Sequence, residues 1–284
     1  MDFSSLVKSD KTIIIDGSMG ALLLELGKDV HNLLELNITE PEVLEDIHRR
    51  YYKAGCDCIL TNTFNLNPQS DNEKIIDAAL TLSNKVKNEF NDKFIGFDIG
   101  PSGFSYTQRG KDIYSLSYEY YKNQFKHIHN RCDFIIIETV SDITEMKAAI
   151  DAANDTTLPI LASMTFTNKK VSWMGTSLSE WIELTNSANI LAGGINCTLT
   201  PTEMLPLIKE YSQAVNKKVF CEPNKGQPKK TSDETFYTLD DIDYAGGLYD
   251  IFNLGIKIIG GCCGSSPNSI KEFKKLISWN SNYI

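Results

Sequence analysis

The sequence has no apolar run approaching the roughly 20 residues that a bilayer-spanning helix requires, which excludes an integral membrane helix. Its amino terminus, MDFSSLVKSDK, lacks the basic-then-apolar arrangement of a secretory leader. Basic residues are in deficit, 28 Lys and Arg against 37 Asp and Glu, and a net charge of −9 argues against nucleic acid or an anionic membrane as the main partner. No Pro-, Gly- or Ser-rich linker and no low-complexity tract divides the chain, so one domain spanning residues 1–284 is expected. Histidine is scarce: His31, His48, His127 and His129 fall in helix-like or loop-like stretches, away from strand ends, and none is a catalytic candidate. A GxGxxG phosphate turn is also missing. DGSMG follows the first apolar run, but without that glycine spacing or the acidic residue that should come later, which counts against a doubly wound open sheet.

What is there begins with seven cysteines, an odd number spread unevenly. Without export signals this does not suit a disulfide framework, and metal or catalytic use becomes the sharper reading. The expectation is a soluble, cytoplasmic, reduced protein, with 42% hydrophobic residues available for a sizeable core.

Short β-branched runs recur at Thr12–Ile15, Cys58–Thr61, Phe94–Phe97, Phe134–Ile137, Ile160–Met164, Ile190–Ile195, Lys218–Phe220 and Lys257–Ile259. Helix-like stretches separate them, among them EPEVLEDIHRRYYKAG, with Pro41 near its start and Gly55 past its end. Eight strands alternating with helices predict a parallel (β/α)8 TIM barrel, an α/β fold. The polar segment from Lys225 to Asp240 reads as a long loop.

In such a barrel the chemistry lies at the carboxyl ends of the strands. Those ends carry Asp16, Thr61-Asn62-Thr63, Asp98, Glu138, Thr165, Asn196-Cys197, Glu222-Pro223-Asn224 and Gly260-Gly261-Cys262-Cys263. Neighbouring Cα atoms lie about 3.8 Å apart, closer than the roughly 4.4 Å at which disulfides begin. Cys262 and Cys263 therefore do not suit a mutual bridge, but both can reach one ion, with Gly260, Gly261 and Gly264 freeing the turn. Cys197 is the best-placed third ligand, and three thiolates with one open position describe a catalytic zinc site. The plainer alternative is that these cysteines are small buried hydrophobes. Cys56, Cys58 and Cys132 lie at the opposite strand ends and read as structural; Cys221 is nearer the mouth. Asp16 is either a helix cap or a site residue, and Glu138 is either paired with a buried cation or a site residue.

DGSMG (16–20), TNTF (61–64), DIGPSG (98–103), IETVSD (137–142), GGINC (193–197), EPNKG (222–226) and GGCCGSSP (260–267) together resemble the homocysteine S-methyltransferase family, in the family's order. The TNTF and EPN blocks are most similar to the homocysteine-binding barrel of cobalamin-dependent methionine synthase. The resemblance implies a zinc ion on Cys197, Cys262 and Cys263, with Asn224 as an exchangeable fourth ligand. It implies that Asp16 and Glu138 grip the ammonium group of homocysteine, that the backbone at Gly17 and Ser18 faces its carboxylate, and that Asn62 and Asn196 line the substrate pocket. It further implies methionine as product and a methyl-corrinoid donor, expected on a separate protein because the cobalamin-bearing modules do not follow this barrel. A small donor such as S-methylmethionine, or another thiol acceptor, is the alternative. Ser18, Lys225 and Ser265-Ser266 depart from the nearest pattern without removing a ligand, and Lys225 is expected to influence the charge of the mouth or a partner contact.

Thiol methylation needs a thiolate, and a free thiol with a pKa near roughly 8.5 is mostly protonated at neutral pH. Zinc deprotonates a coordinated thiol, and a sulfur-rich ligand set keeps that thiol nucleophilic. Two rival functions suit these residues less well. A Schiff-base aldolase needs a lysine where the sixth strand ends in Asn196-Cys197. A non-catalytic zinc or thiol sensor would favour a closed four-cysteine site, and only three cysteines fall at the mouth.

Overall fold

The computed structural model describes residues 1–29, 33–108, 111–128, 130–230 and 235–280; His31 and His129 lie outside them. In chain order the strands are β1 (Ile13–Ile14), β2 (Cys58–Leu60), β3 (Phe94–Ile99), β4 (Phe134–Val140), β5 (Ile160–Met164), β6 (Ala192–Asn196), β7 (Lys218–Glu222), β8 (Pro228–Lys230), β9 (Thr235–Tyr237) and β10 (Ile258–Ile259). The helices are α1 (Phe3–Lys8), α2 (Met19–Glu25), α3 (Leu36–Thr39), α4 (Pro41–Ala54), α5 (Glu73–Lys87), α6 (Phe104–Thr107), α7 (Ile113–Phe125), α8 (Ile143–Ala153), α9 (Leu178–Ser187), α10 (Pro201–Ala214), α11 (Asp241–Asn253) and α12 (Pro267–Asn280). Eight strands form one parallel sheet in the order β1-β10-β7-β6-β5-β4-β3-β2, and a parallel bridge from Ile15 to Cys58 joins its two edges. This is the expected TIM barrel. None of the described helices is long and apolar enough to cross a membrane.

Strand alternation divides the core in two. Ile13, Ile15, Cys58, Phe94, Phe134, Ile136, Leu161, Ala192, Phe220 and Ile258 fill the barrel. Ile14, Ile59, Ile95, Phe97, Ile135, Ile137 and Ile259 face outward against the helices. Helix starts are locally encoded: Pro41 opens α4, and capping boxes at Ser177/Glu180 and Thr200/Glu203 open α9 and α10.

Three features depart from the sequence reading. The amino-terminal segment forms α1, whose Phe3 and Val7 are buried in the barrel interior. Phe3 stacks on Phe134 at 4.0 Å between ring centroids, plugging the end opposite the mouth. The segment expected to be a long loop instead contains an antiparallel hairpin, with β8 pairing β9. Several strands also run further than expected, so that Asp98, Glu138, Asn196 and Glu222 lie within β3, β4, β6 and β7. Counting by twos, they share the inward parity of Phe94, Phe134, Ala192 and Phe220. One face of the pleat thus carries apolar side chains at the bottom and polar ones at the top.

Candidate active site

Two loops, one after β6 and one after β10, carry the three thiols to the mouth. Cys197 and Thr198, just past β6, both adopt left-handed backbone, with φ of 59° and 57°. For non-glycine residues this costs of order 1–3 kcal/mol each, so the surroundings must enforce it. The Cys197 N–H donates to the Glu222 carbonyl at 2.8 Å, and Asn224 N–H donates to the Leu199 carbonyl at 2.8 Å. Cys262 N–H donates to the Pro223 carbonyl at 3.0 Å, and Cys263 N–H donates to Asn224 Oδ1 at 3.1 Å. Backbone bonds thus lace the ends of β6, β7 and β10 together. Of the three glycines expected to free the turn, Gly264 alone has a left-handed φ, 81°. Gly261 serves close approach instead, because a Cβ there would lie 2.4 Å from Ser265 Oγ.

The result is a tripod. The Cys197, Cys262 and Cys263 sulfurs all lie within 4.8 Å of one another, with Cys197 and Cys263 3.9 Å apart. Tetrahedral zinc with Zn–S bonds of about 2.3 Å places its sulfurs about 3.8 Å apart, so the side chains fit that ion. The thiols of Cys262 and Cys263 donate to Cys197, which lies far below the ordinary thiol value, at about 3. The same contacts raise Cys262 and Cys263. Three sulfur atoms drawn together in this way are soft donors that suit a cation ligand set. The Asn224 side chain also donates to Cys197 and so lies beside the tripod. The other cysteines differ: Cys56, Cys58, Cys132 and Cys221 are buried, and desolvation raises their thiols.

Beside the tripod four carboxyl groups converge: Asp16, Asp98, Glu138 and Glu222, all at most 8% exposed. Asp16 Oδ2 accepts from the Leu60 N–H at 3.0 Å, while Asp16 Oδ1, Asp98 Oδ1 and both Glu222 carboxylate oxygens are buried without a hydrogen-bond donor. Burial, then the proximity of Glu138, holds Asp98 and Glu222 far above the usual carboxylate range. Burial likewise raises Asp16, reinforced by Glu138. Glu138 rises only to about 7, because burial is opposed by hydrogen bonds from Asp98, Thr139 and Asn196. No buried Lys or Arg answers them among the described residues, so the paired-cation alternative for Glu138 is set aside. A buried carboxyl oxygen without a donor is costly, and a group able to donate to it would relieve that cost.

Asn196 organises this pocket. Its Oδ1 accepts from Thr139 N–H at 2.9 Å and Ser163 Oγ at 3.0 Å, which orients Nδ2 toward Glu138 Oε2 at 2.6 Å and Thr139 Oγ1 at 2.7 Å. A register shift between Ile137 and Val140, with Thr139 at φ 61°, aims Glu138 into the mouth.

Other expectations fare differently. Ser18, not Asp16, caps α2, accepting from Ala21 N–H at 3.0 Å. The Ser18 amide donates to Ser265 Oγ at 3.1 Å, and Gly17 packs so closely against Ser265 that a Cβ would lie 2.3 Å from its hydroxyl. Asn62 Nδ2 is spent on the Leu33 carbonyl at 2.9 Å, and its backbone carbonyl accepts from Asn37; it braces the loop before α3. Lys225 pairs with Asp241 at 2.7 Å and so does not set the charge of the mouth. Asp98 and Glu222 went unassigned in the sequence reading, although their parity with Phe94 and Phe220 signals an inward course. Tyr237, at the end of β9, was also missed: its ring covers Gly264, and burial followed by the nearby thiols raises its hydroxyl to about 12.

The fold and site are those of a TIM barrel whose mouth carries a three-thiol tripod beside four buried carboxyl groups. The sequence profile of homocysteine S-methyltransferase matches residues 13–277, and the chain belongs to that family of methyltransferases. It is 27% identical to a methionine synthase of Mycobacterium leprae over 291 residues, covering 93% of this chain and 24% of that protein. The chain thus spans about a quarter of the length of such curated relatives. In fold it is similar to the Escherichia coli homocysteine methyltransferase MmuM. The metallated form of that enzyme gives a TM-score of 0.80 at 19% identity, covering 96% of this chain and 99% of that one. The oxidized form gives 0.81 at 19% identity, covering 96% and 98%.

Proposed function

We propose that this chain methylates homocysteine to methionine at a zinc centre held by Cys197, Cys262 and Cys263, with Asn224 as the ligand that yields to substrate. The 3.9 Å separation of Cys197 and Cys263, at the edge length of a tetrahedral zinc–sulfur site, carries this reading. Zinc in that tripod supplies the positive charge that lets an incoming thiol give up its proton near neutral pH.

The chain's own residues do the rest. Asp16, which keeps an unpartnered buried oxygen, and the buried Glu138 near it hold the substrate ammonium. Asn196 fixes Glu138, and the backbone at Gly17 and Ser18 borders the carboxylate end. Held at both ends, the substrate points its sulfur at the tripod, and orientation of this kind supplies much of the rate gain in transfer reactions. The sulfur lone pair forms a bond to the donor's methyl carbon as the donor's bond to that carbon breaks, the donor keeping the electron pair.

The donor is a methyl-corrinoid presented over the mouth, a reading supported by the likeness to methionine synthases. Purified zinc-loaded protein incubated with homocysteine and either methylcobalamin, a methyl-corrinoid protein or S-methylmethionine tests this by methionine formation. Product from either corrinoid source is expected; product from S-methylmethionine alone overturns the donor, and no product from any overturns the reaction.

A further inference from the structure

The four carboxyl groups at the mouth cannot all be charged, since no buried Lys or Arg balances them among the described residues and like charges in a dry site are expensive. Where the protons sit decides what the pocket recognises. Asp98 and Glu138 lie within hydrogen-bonding reach of each other, an approach that two carboxyl groups make with a proton between them. Their surroundings differ. Glu138 Oε2 accepts from Asn196 Nδ2 at 2.6 Å, and the Thr139 hydroxyl lies 3.4 Å away. The Asn196 amide cannot turn round, because its oxygen already accepts from Thr139 N–H and Ser163 Oγ. Asp98 has no comparable donors: Oδ1 is buried and unpartnered, and the side chain faces Glu138, Glu222 and Asp16. Donors stabilise the charged form of Glu138, whereas like charges and dryness disfavour it at Asp98.

We propose that Asp98 is a positioning residue that keeps its proton and donates it to Glu138, so that Glu138 is the anion presented to the substrate ammonium. This rests on the reading that Asp16 and Glu138 bind that ammonium. Asp98 does not touch substrate; it acts through Glu138. The backbone holds it for that role, with Asp98 N–H donating to Thr61 Oγ1 at 3.0 Å and its carbonyl accepting from Thr63 Oγ1 at 2.6 Å. Of the groups facing Glu138, Asp16 and Glu222 are acidic and Cys197 is the thiolate of the tripod, so a neutral donor from Asp98 is the arrangement that adds no further repulsion.

The amide of Asn has a donor where a protonated Asp has its hydroxyl, so D98N and D98A separate the possibilities. Zinc-loaded wild type, D98N and D98A are titrated calorimetrically with homocysteine and with 4-mercaptobutanoate, the same thiol acid without its amino group, and zinc content is measured in each. D98N is expected to keep homocysteine affinity within about threefold, and D98A to lose at least about tenfold, the scale of a hydrogen bond to a charged group. Affinity for 4-mercaptobutanoate and zinc content should be unchanged in both variants. If D98N loses as much as D98A, Asp98 works as an anion and the proposal is overturned. It is equally overturned if D98A loses both thiols alike, or neither. A wild type that does not prefer homocysteine over 4-mercaptobutanoate contradicts the ammonium reading itself, a result separable from the behaviour of the variants.

Discussion

Cys197 and Cys263 bring their sulfur atoms to 3.9 Å across 66 residues of sequence. Two consecutive left-handed residues at the end of β6 and a left-handed glycine after the β10 cysteine pair make the approach possible. The backbone bonds through Glu222, Pro223 and Asn224 hold it. A strained turn fixed from several sides is expected where geometry serves chemistry rather than stability.

Serine at Cys197, Cys262 or Cys263 should lower bound zinc and methionine formation together. Loss of partners that merely orient ligands costs roughly 10–100-fold, so loss of a ligand should cost at least that. C56S, changing a buried thiol in the opposite part of the fold, should keep its zinc. Zinc measured by elemental analysis against activity in all four variants checks this; full zinc in the three mouth variants would refute the tripod.

N196A removes the 2.6 Å donor to Glu138. Hydrogen bonds to charged groups contribute about 1.5–3 kcal/mol, so KM for homocysteine should rise at least about tenfold while kcat at saturation changes less. Steady-state kinetics decides it, and a fall in kcat without change in KM would place Asn196 elsewhere in the reaction.

Glu138 gives a pH dependence with a definite sign. Burial raises its carboxyl from 4.5 to about 7 in the folded protein, so the native state holds the proton more tightly than the unfolded chain. Its contribution to stability is present below about pH 4.5 and fades as pH rises through about 7. The unliganded protein should therefore lose stability from this group between about pH 5 and 8, and E138Q should flatten that slope, as read from denaturant melts. Homocysteine binding has the opposite sense: it needs the carboxylate, so affinity should fall as pH drops below about 7.

Phe3 ties the amino-terminal helix to the barrel floor through Phe134 and Phe94. F3A should destabilise the fold by about 3 kcal/mol, as Phe-to-Ala changes in cores do, with zinc content unaltered. Chemical denaturation and zinc analysis on the same sample test both halves.

The barrel was legible because most of its strands are short apolar runs and several helices carry their own start signal, as Pro41 and the capping boxes of α9 and α10 show. The thiol tripod was legible because Cys262-Cys263 and Cys197 directly follow such runs. Less visible were features set by distant partners. α1 is too short to show a helical period, and it folds because Phe3 finds the barrel floor. Asn62 sits beside the strand end as a site residue would, yet Leu33 and Asn37 draw it into a loop brace. Lys225 looks like a mouth cation until Asp241, 16 residues on, pairs with it. Asp98 and Glu222 stand among the strand-end groups in the sequence, but the resemblance gives them no role; their inward parity with Phe94 and Phe220 along β3 and β7 is the signal that places them with Glu138.

Zinc-edge X-ray absorption of the loaded protein, before and after homocysteine, tests the central claim most directly. Three sulfur ligands at about 2.3 Å with one lighter neighbour should become four sulfurs when the substrate thiol replaces Asn224. A sulfur count that stays at three in the presence of saturating homocysteine would contradict the assignment of this mouth as the site of thiol activation.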